Sequence, residues 1–224
     1  MIKTFRKVNF RPLYAKNTLR HFSSASSNDD SRPLVTVTGI SGYIGSHVGL
    51  KLLQDGSFRV RGTVRSKDNS AKIDPLREGY GKHFEKLELV EADLLDADSM
   101  KSAISGSTHV IHVASPFVIG EPKDEMELIR PAVKGTTSVL EASVAAGVKR
   151  VCVTSSVGSI VDRMNPNEPE VYNESHWLDP NRPGCPAYEK SKVMAELAAW
   201  DFIKDRNMSS LELTTVCPGY VIGP

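Results

Sequence analysis

With 224 residues, 40% of them hydrophobic and 25% charged, the chain is long enough for one large domain and apolar enough to bury a core, so a soluble globular protein is expected. No window approaches the roughly 18 uninterrupted apolar residues of a membrane-spanning helix, and a formal charge of +1 points to no nucleic-acid partner. Three widely spaced cysteines, Cys152, Cys185 and Cys217, include no CxxC pair that would suggest zinc or a redox dithiol, and no metal site is expected. Cys152 and Cys217 lie in apolar runs and read as small core residues.

Residues 1–30 differ from the rest. Met1 to Phe22 carries Lys3, Arg6, Lys7, Arg11, Lys16 and Arg20 with no acid, and the serine-rich HFSSASSNDD follows. This composition reads as a mitochondrial presequence processed near Phe22, although Pro12 interrupts an amphipathic helix there. A disordered basic tail on a cytoplasmic protein is the other reading. Without its six cations the charge of +1 becomes −5. The expected division is a tail over 1–30 and one nucleotide-binding domain over 31–224.

From residue 34 onward, short β-rich runs alternate with helical segments. LVTVTG (34–39) reads as the first strand, FRVRGTV (58–64) the second, LELVEAD (87–93) the third, HVIHVAS (109–115) the fourth, RVCVTSS (150–156) the fifth and LELTTVCP (211–218) the sixth. Ile44, Val48 and Leu52 mark one face of a first helix that Gly56 stops. Val133, Thr137, Leu140 and Val144 mark a long helix before the fifth strand, closed by Gly147 and Lys149, and Tyr188 to Asp205 is rich in helix formers. Strands joined by crossovers of about ten residues or more pair in parallel, with helices on both faces. The expected fold is therefore α/β, a doubly wound parallel sheet of the Rossmann type. Asp162 to Pro186 is Pro- and Asn-rich, a loop long enough to be functional or disordered.

TGISGYIG sets Gly39, Gly42 and Gly45 between the first strand and the first helix. Three glycines there let backbone approach a pyrophosphate and aim a helix N-terminus at its charge, so nucleotide binding is expected. At the end of the second strand an NAD enzyme generally carries an acid for the ribose hydroxyls. This chain has Arg65, with Lys67 and Lys72 after it, which suits a 2′-phosphate and predicts NADPH.

AYEKSK places Tyr188 and Lys192 at i, i+4 on one helix face, where an ammonium can stabilise a phenolate. Tyrosine ordinarily titrates near about 10 and needs such help as an acid or base near neutrality. VTSSVG offers Ser155 and Ser156 at the carboxyl end of the fifth strand, the edge at which open α/β sheets bind ligands. His112 reads as a packed histidine, His176 and Trp177 as loop residues with a surface or packing role, and EPKDEMELIR as the solvated start of a helix.

Taken in order, TGISGYIG, VTSSVG, YEKSK and PGYVIGP resemble the extended short-chain dehydrogenase/reductase family. VIHVASPF, RPAVKGTTSVLEA and AYEKSKVMAELAAW are similar to its branch of dihydroflavonol and cinnamoyl-CoA reductases. The resemblance covers residues 34–224. It implies Tyr188, Lys192 and, of the two serines, Ser156 as the catalytic residues, reducing an aldehyde or ketone with NADPH. In that scheme Tyr188 protonates the carbonyl oxygen, Ser156 orients it, and Lys192 lowers the tyrosine pKa and holds the ribose.

The resemblance further implies cofactor contacts from Gly39, Gly42, Tyr43 and Ile44, with Arg65 and Lys72 at the 2′-phosphate and Asp93 and Leu94 at the adenine. Val113, Ala114 and Ser115 would run beside the cofactor, and Pro218, Gly219, Tyr220 and Val221 would meet the nicotinamide carboxamide. Relatives continue for on the order of a hundred residues as a substrate domain, so that domain is expected to be largely missing and the chain truncated. A hydroxysteroid dehydrogenase or nucleotide-sugar epimerase of the same family, and a nucleotide-binding fragment without turnover, stay open as alternatives. The partner expected is a small carbonyl substrate; its identity and the oligomeric state are not readable.

Overall fold

The computed structural model describes residues 30–116, 120, 122–162, 165, 167, 169–206 and 210–223, and the expected presequence lies outside them. Six strands form one parallel sheet: β1 (Leu34–Thr38), β2 (Arg59–Val64), β3 (Leu87–Glu91), β4 (His109–His112), β5 (Arg150–Thr154) and β6 (Glu212–Val216). Their order is β3-β2-β1-β4-β5-β6. All six coincide with the expected β-rich runs. The chain works outward from β1 to β3, then crosses back to place β4 on the other side of β1. Thr38 at the end of β1 pairs in register with His112 at the end of β4, and the crevice beyond these two carboxyl ends is where such sheets take ligands.

Two apolar clusters cover the two faces. On one, Leu53 of α1 (Tyr43–Asp55) and Ile73, Leu76 and Tyr80 of α2 (Ser70–Tyr80) pack on Val35, Val37, Val60 and Val64. On the other, Met100 and Ile104 of α3 (Ala97–Ile104), Val139 and Leu140 of α4 (Met126–Ala145) and Ala199 and Phe202 of α5 (Ala187–Asp205) pack on Val110, Val151 and Val153.

The expected helix faces need correction. In α1 the buried stripe is Gly45, Gly49 and Leu53, one residue on from Ile44, Val48 and Leu52. The helix lies so close to its neighbours that a Cβ on Gly49 would sit 2.3 Å from Ile40 Cδ1 and 2.4 Å from the Tyr80 hydroxyl. In α4 burial is broader than the expected face, because α3, α5 and the sheet flank it; Leu140 is buried as expected together with Ala132, Thr136, Val139 and Ser143, Val133, Thr137 and Val144 are only half-buried, and Glu127, Arg130, Lys134 and Glu141 form the exposed side. The charged run before it ends in helix from Met126, whose Leu128 and Ile129 are core residues.

Most of the long loop is anchored. Arg182 Nε lies 2.9 Å from Asp162 Oδ1, the Asp162 amide donates to the Tyr172 hydroxyl at 3.2 Å, and Leu178, 1% exposed, donates its amide to the Ser159 carbonyl. Leu178 and Cys185 pack with Val193 of α5, and Trp177 covers them. His176 is half-buried and accepts the Asn173 amide. Cys185 is thus the buried thiol, while Cys152 and Cys217 in their strand runs are half-buried and all three are free.

Candidate nucleotide and catalytic site

The turn after β1 is built for close approach. Gly39 adopts φ +68, and a Cβ on it would lie 3.0 Å from Ala114 Cα. A Cβ on Gly45 would lie 2.2 Å from the Gly39 carbonyl oxygen, so the first turn of α1 can pack on the loop only without a side chain there. Gly42 caps α1 with no side-chain hydrogen bond, and no acid stands in the first turn. By contrast, Asp96 caps α3, accepting the Asp98 and Ser99 amides at 3.1 and 3.2 Å. Neither the cap nor the first turn of α1 therefore offers its amides an anionic side chain, the arrangement that favours a phosphate. Tyr43 is 43% exposed at this end and Ile44 is half-buried.

Arg65 leaves β2 exposed, and among the described residues no ion pair engages it, Lys67 or Lys72. Beyond the end of β3 at Glu91, the loop carries Asp93 and Leu94. Asp93 turns its carboxylate onto the Leu95 amide at 2.8 Å, which leaves the loop closed on itself.

Beyond β4, the amides of Val113 and Ala114 both donate to Thr38 Oγ1 at 3.1 Å. Those two bonds occupy the hydroxyl's lone pairs, so its single proton faces His112 Nδ1, 2.8 Å away. His112 is accordingly neutral, with its proton on Nε2. Burial, and then the Lys192 charge, push its pKa down to about 4. His112 is packed as expected, yet it also lines a small pocket with Ser115, Ser155, Lys192 and Glu196.

Lys192 occupies that pocket from α5. Its ammonium donates to Ser115 Oγ at 2.9 Å and lies 5.4 Å from the centroid of the Tyr188 ring, one turn earlier on the helix. Burial pulls its pKa down to about 8. The two serines after β5 separate in role. Ser155 is turned into the interior toward Glu196, whereas Ser156 caps a short 3₁₀ turn (Val157–Ser159), accepting the Gly158 amide at 3.1 Å. A Cβ on Gly158 would lie 3.2 Å from Glu189 Cγ, so this turn sits against the residue that follows Tyr188.

The loop after β6 completes the rim. The Pro218 carbonyl accepts the Val157 amide at 3.0 Å, Tyr220 is 87% exposed and Val221 51%, and a Cβ on Gly223 would fall 1.9 Å from the Tyr43 hydroxyl. Segments expected to serve the cofactor and segments expected to serve catalysis thus meet around one crevice. Thr38, His112 and Glu196 belong to the same constellation without having been singled out as site residues. A conspicuous signal for Glu196 was available in its spacing, eight residues after Tyr188 and four after Lys192.

Strand order, glycine turn and uncapped first helix define a Rossmann domain whose crevice carries a Tyr-Lys pair. The chain belongs to the NAD dependent epimerase/dehydratase family, whose profile matches residues 35–224. It is 36% identical over 196 residues to cinnamoyl-CoA reductase CAD2 of Medicago truncatula, covering 85% of this chain and 58% of that one. It is 37% identical to dihydroflavonol 4-reductase of Hordeum vulgare, covering 88% and 55%. Among solved structures it resembles the yeast methylglyoxal/isovaleraldehyde reductase Gre2 complexed with NADPH, with TM-score 0.73, 32% identity, and coverage of 85% of this chain and 59% of that one. The chain therefore spans rather more than half the length of these relatives.

Proposed function

We propose that the protein is an NADPH-dependent reductase that converts an aldehyde or ketone to an alcohol. The observation that carries this reading is the Lys192 ammonium, half-buried beside the Tyr188 ring and hydrogen-bonded to Ser115 on the segment that borders the nucleotide crevice. The relatives' reductase names and the NADPH in the similar Gre2 structure support it.

The residues present fit the cofactor. A pyrophosphate would lie on the glycine turn and the capless N-terminus of α1, where a Cβ at Gly39 or Gly45 would intrude. Arg65 and Lys72 are free to meet a 2′-phosphate, with Asp93 and Leu94 beside the adenine. Val113, Ala114, Ser115 and the Pro218–Val221 loop would flank the nicotinamide half. The chemistry NADPH supplies when bound is hydride delivery to a carbonyl carbon.

The chain's own residues supply the rest. Tyr188 donates its phenolic proton to the carbonyl oxygen as that oxygen gains charge, and Ser156 holds the oxygen by a hydrogen bond. Lys192 stabilises the phenolate left on Tyr188, and Ser115 fixes the direction of its ammonium. Burial excludes water from Lys192 and strengthens its field at the ring. NADPH oxidation measured with a panel of aromatic and small aliphatic aldehydes tests the reading, and a protein that binds NADPH but oxidises it with none of them refutes it.

A further inference from the structure

One turn beyond Lys192, α5 carries a third polar side chain on the same face. Glu196 is 5% exposed, and among the described residues no ion pair reaches it. Its partners are two hydroxyls, a thiol and an indole N–H. Oε2 accepts the Ser155 hydroxyl, lies 2.6 Å from Ser159 Oγ and 3.7 Å from Cys217 Sγ, while Oε1 stands 3.5 Å from Trp200 Nε1. A carboxyl group taken out of water is costly unless its oxygens are satisfied, and an apolar residue would fill this place at lower cost. Its presence needs a reason beyond packing.

The reason lies in what its partners carry. Ser155 and Ser159 bracket the 3₁₀ turn that presents Ser156, and Ser159 Oγ is also 2.8 Å from the Ser156 carbonyl. Cys217 immediately precedes the loop from Pro218 to Val221. Glu196 thus holds Ser155 before the Ser156 turn and Ser159 at its end, and touches the start of the rim loop, from the helix that also bears Tyr188 and Lys192.

We propose that Glu196 is the positioning residue for Ser156: through Ser155 and Ser159 it holds the turn after β5 in register with Tyr188 and Lys192. The catalytic consequence rests on the carbonyl-reductase reading above; the anchoring of the turn does not. Ser156 caps its turn by a local bond from the Gly158 amide, so without the carboxyl group the hydroxyl keeps its local geometry and loses its placement relative to α5.

The test uses the full chain and the variants Glu196→Gln, Ser156→Ala and their combination. Hydrogen exchange over residues 155–160 in nucleotide-free protein is expected to quicken about tenfold in Glu196→Gln, since the buried contacts of one carboxyl oxygen with both serine hydroxyls are weakened. NADPH affinity, followed by fluorescence, is expected to stay within about twofold, while kcat falls about tenfold from a displacement of the serine. The double variant is expected to be no slower than Ser156→Ala, within about twofold, because one residue acts through the other. Unchanged exchange in Glu196→Gln, or losses that multiply in the double variant, overturns the proposal. If exchange quickens but the wild-type protein reduces no carbonyl, the reductase reading fails and the anchoring stands. Should Glu196→Gln not fold, Ser159→Ala removes one of the two anchors and carries the same expectations.

Discussion

Lys192 Nζ and Ser115 Oγ, 77 residues apart in the chain, meet at 2.9 Å and join helix α5 to the segment after β4. The bond fixes the ammonium beside Tyr188 at the expense of hydration, and burial pulls its pKa to about 8 from an ordinary 10.5. Between those values the unfolded chain holds a proton that the native lysine lacks, so the protein gains stability as pH rises across this window and bears the full cost below it. Lys192→Met is therefore expected to raise the unfolding free energy at pH 7 by on the order of 1–3 kcal/mol while abolishing turnover. Denaturant titrations at pH 7 and pH 10 check it, the gain shrinking at the higher pH.

His112 acts with the same sign in a lower window. Its pKa is about 4 in the native state against an ordinary 6.5, so the unfolded chain binds a proton first as pH falls. Stability is complete above about 6.5 and is lost progressively toward pH 4, by on the order of 2–3 kcal/mol from this residue. His109, pushed down by burial and by Arg150, acts in the same direction. Comparing the pH dependence of wild type with His112→Gln isolates the His112 share, which disappears in the variant.

Gly45 and Gly79 are both helical, and the structure separates them. A Cβ on Gly45 meets the Gly39 carbonyl at 2.2 Å, whereas one on Gly79 meets nothing within 4 Å. Gly45→Ala is expected to cost about 1–3 kcal/mol and to displace the turn that would receive the pyrophosphate. Gly79→Ala in α2 is expected to be neutral or to stabilise by about 0.5–1 kcal/mol. Thermal unfolding with and without NADPH reads both.

Arg65 stands exposed where an NAD enzyme generally carries an acid. Arg65→Glu replaces attraction for a 2′-phosphate with repulsion, and NADPH affinity is expected to fall about 10- to 100-fold while NADH affinity holds or rises. Fluorescence titration with the two nucleotides checks the reversal; equal losses for both would place the 2′-phosphate elsewhere.

The strands were readable because most are short β-branched runs bounded by turn residues and β3 (LELVE) alternates apolar and charged residues, and parallel pairing follows from the crossover lengths. Helices α2 and α3 were not, being short and polar, with Pro75 inside the first of them. The buried face of α1 was misread because glycine carries no apolar signal, and here glycine is what packs. Tyr188 and Lys192 could be paired from their spacing alone. Thr38 and His112 acquire meaning only from a strand register that joins residues 74 apart, and the spacing that sets Glu196 on the face of Tyr188 and Lys192 acquires its use from two serines 41 and 37 residues away. The separate roles of Ser155 and Ser156 likewise depend on which way the chain turns after β5.

The most direct measurement is NADPH oxidation with aromatic and small aliphatic aldehydes by the wild-type protein and by Tyr188→Phe, alongside NADPH affinity in each. With the proton donor removed and the ring retained, turnover is expected to fall by about 10²- to 10⁴-fold with affinity unchanged within about twofold. Equal turnover in the two proteins would remove Tyr188 from the chemistry and contradict the account.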